Sequence, residues 1–129
     1  MALLAAIATF TNVTRQLANA AQPAEGTTPA VTIKMVDVPA VFQPATATIK
    51  VGDTVEWVNV GNEVHHATTD PSMAVSGGDV KSPQGAEPFD SGFVKPGEKF
   101  SHTFKVPGTY RYACAVHETS GMIGTIVVK

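Results

Sequence analysis

Residues 47–60 read ATIKVGDTVEWVNV. Two runs rich in Val, Ile and Thr, 47–51 and 54–60, meet at Gly52-Asp53. β-Branched residues suit a pleated surface and Gly-Asp suits a tight turn, so the stretch predicts two strands joined by a turn. The same rhythm runs outward in both directions. On the N-terminal side, VTIKMVDV at 31–38 alternates Val31, Ile33 and Met35 with Thr32, Lys34 and Val36. On the C-terminal side, residues 65–69 form a short strand candidate and KFSHTFKV at 99–106 a longer one. Pro107-Gly108 is a turn, 109–113 a further strand, and 123–128 the last. Eleven Gly and nine Pro punctuate these runs, and no convincing helical period follows residue 20. Seven or eight short strands so spaced predict an all-β Greek-key β-sandwich. DPSMAVSGGDVKSPQGAEP at 70–88 breaks the rhythm and reads as a long loop with at most one helical turn.

Three segments follow from this reading. Residues 1–20 open with the apolar run MALLAAIATF and end at the small residues Ala18-Asn19-Ala20. The run is shorter than the roughly 20 residues that span a bilayer, and the pattern is that of a signal peptide or leader, although no Lys or Arg precedes it. Export to a periplasmic or other extracytoplasmic space is expected, with membrane association through an uncleaved segment as the variant. Stable membrane insertion is not expected. Residues 21–30, AQPAEGTTPA, form a linker, and 31–129 the folded domain. The formal charge is −2 with scattered Lys and Arg, which excludes the basic footprint of a nucleic-acid binder.

Cys114 is the sole cysteine, so it is inert core, a reactive thiol or a metal ligand. Its surroundings favour the last. YACAVHETSGMIGT, 112–125, places Cys114, His117 and Met122 in one loop between two strands. Thiolate and thioether are soft donors and imidazole is a good copper ligand. Two His and one Cys in a plane, with a weak axial Met, satisfy both Cu(I) and Cu(II). The loop holds three of those donors. The fourth must be a His from elsewhere, and Val64-His65-His66-Ala67 offers two.

At this point the chain resembles the cupredoxins, the blue type 1 copper proteins, nearest to plastocyanin and pseudoazurin. The resemblance is carried by Phe42-Gln43-Pro44, by 49–59 (IKVGDTVEWVN), by His65, Pro96-Gly97, Phe100 and Phe104, and by Pro107-Gly108-Thr109-Tyr110. Cys114-x-x-His117-x4-Met122-x-Gly124 completes it, and the match covers nearly all of 31–129. The step from His117 to Met122 resembles the plastocyanin form rather than the shorter amicyanin one. In the family the first His ligand lies eight positions after the Trp, which selects His65 over His66. The residue after that ligand is usually small and polar. Here it is His66, which either makes a comparable bond or is exposed.

The resemblance implies one copper ion held by His65, Cys114, His117 and Met122, and a soluble, monomeric carrier that shuttles single electrons. Redox protein partners would dock briefly near His117, ringed by Val64, Ala115, Val116 and Ile123. The alternative is copper delivery or storage on the same fold. An enzyme is not expected, because multicopper oxidases and copper nitrite reductases need further His clusters and domains. Among the remaining residues, Trp57 is expected in the core and His102 as a strand histidine rather than a ligand. Tyr110 resembles a tyrosine corner, and Met35 and Met73 read as packing or loop residues. Glu118 is expected on the surface.

Overall fold

A computed structural model describes residues 28–129. The expected leader over 1–20, and all of the 21–30 linker but its last three residues, lie outside them. Among the described residues, seven strands form two sheets. The first sheet has the order β2-β1-β4-β5, from β1 (Val31–Val36), β2 (Val41–Gln43), β4 (Thr54–Asn59) and β5 (Lys99–Thr103). The second has the order β3-β7-β6, from β3 (Thr46–Ile49), β6 (Gly108–Ala113) and β7 (Ile123–Val128). Parallel pairs (β1 with β4, β3 with β7) sit beside antiparallel ones, so strands distant in sequence become neighbours. Among the described residues the only helical elements are two 3-10 turns, Gly77–Asp79 and Glu118–Ser120. None of the described helices is long and apolar enough to cross a membrane.

Alternation along the strands builds one core between the sheets. Ile33, Met35 and Trp57 of the first sheet are fully buried against Tyr112, Ile126 and Val128 of the second. Trp57 sits at the centre, with ring centroids of Tyr112, Phe89 and Phe100 at 5.3, 5.4 and 5.6 Å. Such aromatic pairs add about 0.5–1.5 kcal/mol each beyond their area burial. Tyr110 and Tyr112 stand two apart on β6 and so share a face. Both are therefore buried. The Tyr110 hydroxyl donates to the Val106 carbonyl at 2.6 Å, the bond that makes a tyrosine corner.

The expected turn at Gly52, whose φ is +93°, links β3 and β4, which lie in different sheets. Two local differences from the sequence reading have physical causes. The three-residue β2 was not foreseen, because Val41 and Phe42 between two prolines are too few to show a period. Residues 65–69 pair only through isolated bridges, His65 with Val94 and Thr68 with both Asp90 and Ala113. The segment thus runs between the irregular 90–94 stretch on one side and the end of β6 on the other, and forms a continuous ladder with neither. The long loop does contain its single helical turn, at Gly77–Asp79.

Candidate metal centre

Two backbone pairings bring the site together. Thr68 and Ala113 exchange N–H···O bonds of 3.0 Å in both directions, which lays the 65–69 segment beside the residue preceding Cys114. His65 and Val94 exchange bonds of 3.0 and 2.8 Å, which fixes the other end of that segment. The 114–122 loop is closed by Cys114 N–H donating to the Met122 carbonyl at 3.0 Å and Met122 N–H to His117 at 3.3 Å. Gly121, at φ +86°, supplies the left-handed residue the closure needs.

The result is a cluster of His65, Cys114 and His117 whose donor atoms all lie within 4.8 Å of one another. His65 Nδ1 is 3.8 Å from the Cys114 sulfur, and His117 Nδ1 is 3.5 Å from it. Donors bound at about 2.1 Å (imidazole) and 2.3 Å (thiolate) and spaced at 120° lie roughly 3.8 Å apart, so the cluster fits a trigonal metal site. His65 and Cys114 are fully buried, whereas the His117 side chain is 17% exposed. Met122 is fully buried at the loop's end.

Each imidazole turns its second nitrogen toward a carboxylate. His65 Nε2 donates to Asp37 Oδ1 at 2.8 Å, and His117 Nε2 to Glu63 Oε2 at 2.6 Å. Both rings thereby keep Nδ1 as a lone-pair donor toward the sulfur, the tautomer a metal requires. The Asn62 N–H, at 2.6 Å, and then the His65 bond hold the Asp37 carboxyl below its usual range. Burial pushes the Cys114 thiol up, partly countered by the N–H groups of His117, His66 and Val116. A metal must therefore displace the Cys114 proton on binding, as thiolate ligation does.

Asp37 and Glu63 escaped the sequence reading because neither belongs to a spacing pattern. Asp37 is 28 residues from His65 in sequence, and Glu63 is 54 from His117. Gly61 was the available signal. A Cβ there would fall inside the Asp37 carboxylate, with even its farther oxygen at 2.6 Å.

The second histidine of the pair is not exposed. His66 is 2% exposed, and its Nε2 lies 2.9 and 3.0 Å from the two Asp90 oxygens. Burial would raise the Asp90 pKa, but the bonds from His66 and Gly92 outweigh it and hold the carboxyl low. His66 Nδ1 is buried with no hydrogen-bond partner among the described residues. Glu118 departs from expectation: it is 5% exposed and accepts the Val75 and Ser76 N–H groups at 2.6 and 2.9 Å. It straps the long loop to the 114–122 loop. Those two bonds outweigh burial and keep its carboxyl low, while its hydrogen bond to Asp79 raises that residue's pKa. His102 lies far along β5, packed on Phe89 and Phe104 at 4.8 Å each, and takes no part in the cluster.

A family model described as copper binding proteins, plastocyanin/azurin family, matches residues 29–129. The chain belongs to that family. Its metal is copper, and the soft, partly trigonal donor set agrees with it. Plastocyanin from Scenedesmus fuscus is 38% identical over 89 residues, covering 69% of this chain and 87% of that one. Chloroplastic plastocyanin from Tetradesmus obliquus is 35% identical over 89 residues, but the match spans only 59% of that longer protein. Among solved structures, a pseudoazurin from Sinorhizobium meliltoi superposes with a TM-score of 0.60 at 29% identity, covering 77% of this chain and 72% of that one. The Cu(I) form of an amicyanin mutant gives 0.61 at 26% identity, covering 82% and 88%. The cupredoxin sandwich thus carries sequences related to this one at about a quarter identity.

Proposed function

We propose that this chain is a type 1 copper electron carrier that holds one copper ion through His65, Cys114, His117 and Met122. The observation that carries the reading is the cluster itself. Three donors converge, two fully buried, while a third reaches solvent by one imidazole edge. When bound, copper supplies a one-electron Cu(I)/Cu(II) couple. The protein's part is to hold the donors still, so that little rearrangement accompanies the change in charge. Backbone bonds fix His65 and the 114–122 loop, and Asp37 fixes the His65 ring. Burial excludes water from Cys114, and the backbone bond from Cys114 to Met122, together with Met122's burial at the end of the same loop, supports Met122 as the fourth donor.

His117 is then the port for electron exchange, because its ring alone of the three links the cluster to the surface. Val64 beside His65, Val116 beside His117, and Phe93 beside Val94 are 37%, 48% and 72% exposed. Exposed apolar side chains next in sequence to the cluster residues and to Val94 support brief docking of a redox protein to a monomer. The apolar run and small-residue site in 1–20 support export to a periplasmic or other extracytoplasmic space. The folded unit is assigned to 31–129.

The test is to add Cu(II) to the copper-free protein and record its visible spectrum. An intense blue thiolate-to-copper band is expected, and it should vanish in Cys114→Ser. His65→Ala should abolish the native band while His66→Ala retains it. A folded, reduced wild-type protein that gives no such band would overturn the assignment.

A further inference from the structure

The carboxylate on the exposed imidazole does more than the proposed ligation requires. Glu63 ends a loop whose backbone is pinned at several points. Gly61 N–H donates to Asn59 Oδ1 at 2.9 Å, and Asn59 Nδ2 donates to the Glu63 and Val94 carbonyls at 2.7 and 2.8 Å. Asn62 N–H donates to Asp37 at 2.6 Å. From that fixed base the Glu63 side chain, 57% exposed, reaches His117 Nε2 at 2.6 Å. His117 Nδ1 faces Cys114 at 3.5 Å, so the ring is gripped at both nitrogens, by Cys114 of its own loop and by Glu63, 54 residues away from His117 in sequence.

Water could complete an exposed N–H equally well. A carboxylate adds two things that water does not: a fixed acceptor direction and a negative charge. The fixed acceptor selects the Nε2–H tautomer and leaves Nδ1 as the donor toward the cluster. The charge favours whichever redox state places more positive charge on that imidazole. The oxidised state draws more electron density from its ligands, so it is the one favoured.

Resting on the ligand assignment above, we infer that Glu63 is a positioning residue for electron exchange: it locks the tautomer and orientation of the His117 port and biases the copper centre toward its oxidised state. Glu63→Gln keeps an oxygen acceptor but removes the charge. Glu63→Ala removes both. Because Glu63 is largely exposed, both variants should fold.

Two measurements test the inference. Spectroelectrochemical titration at pH 7 of the copper-loaded proteins should show a higher reduction potential in both variants. The Cu(I)/Cu(II) ratio at fixed applied potential should rise about tenfold, which is ~59 mV for a one-electron couple. Nitrogen NMR of the copper-free proteins should show a single Nε2–H tautomer for His117 in the wild type and Glu63→Gln, and a mixture in Glu63→Ala. A ratio within twofold of wild type in Glu63→Gln overturns the electrostatic role. An unchanged tautomer in Glu63→Ala overturns the positioning role. Failure of the ligand assignment would show itself separately, as a wild-type protein with no blue band, and the NMR arm would still decide the Glu63 contact.

Discussion

Gly61→Ala should damage the metal centre without touching any residue of the donor cluster. Gly61 is not in the left-handed region, so alanine brings no backbone strain there. The cost is steric. The new Cβ would overlap the Asp37 carboxylate, whose farther oxygen lies at 2.6 Å, whereas ordinary carbon contacts begin near ~3.5 Å. The carboxylate must retreat by about 1 Å or more. A retreat of that size takes its 2.6 Å bond from Asn62 and its 2.8 Å bond from His65 out of hydrogen-bond range. His65 is fully buried, so water does not replace the lost partner. Leaving a buried donor unsatisfied costs roughly 1–3 kcal/mol. A misoriented ligand imidazole typically costs about 10–100-fold in metal affinity. Urea unfolding of the copper-free protein and competition for copper against a chelator would measure the two effects. The decisive comparison is the double variant. With Asp37→Ala already present the clash is gone, so adding Gly61→Ala should cost almost nothing. Equal costs of Gly61→Ala in the two backgrounds would refute the reasoning, as would a single variant that keeps wild-type stability and affinity.

Other consequences can be checked with standard methods. Gly124→Ala should destabilise the fold by about 1–3 kcal/mol in thermal or urea unfolding, since its Cβ would overlap the buried Tyr112 ring, whose Cε1 lies at 2.7 Å. Burial lowers the His102 pKa below 6.5, so the unfolded chain binds more protons and stability should fall as pH drops through 6.5, levelling off below the folded pKa. In copper-free unfolding curves between pH 7.5 and 5, His102→Gln should show a shallower slope than wild type, and equal slopes would contradict this. Glu118→Ala removes the acceptor for Val75 and Ser76, so limited proteolysis within 72–79 should accelerate by about an order of magnitude while the sandwich stays folded.

Much of this protein is local in origin and was therefore legible in the chain. Alternation of apolar and polar residues places β1 and the Trp57 strand, because side chains on a strand repeat every two residues. Cys114, His117 and Met122 lie within nine residues of one another, so a single loop positions them and their spacing carries the information. His65 needed more. Its register from Trp57 pointed to it, but its approach to Cys114 depends on the Thr68–Ala113 pairing, a contact across 45 residues that no local period encodes.

The surroundings of the donors were decided by tertiary structure alone. Glu118 reads as a surface carboxylate until the 70–88 loop folds over it and offers two N–H groups. His66 reads as either bonded or exposed until Asp90 arrives from the far side of that loop. Asp37 and Glu63 belong to no motif, yet they set the tautomers of the two histidines that face Cys114. The soft donors and the strands that bear them were readable from the chain, because those depend on residue type and short-range spacing. Which carboxylates orient those donors was settled by the folded state, because these groups meet solely when the two sheets and their loops close on one another.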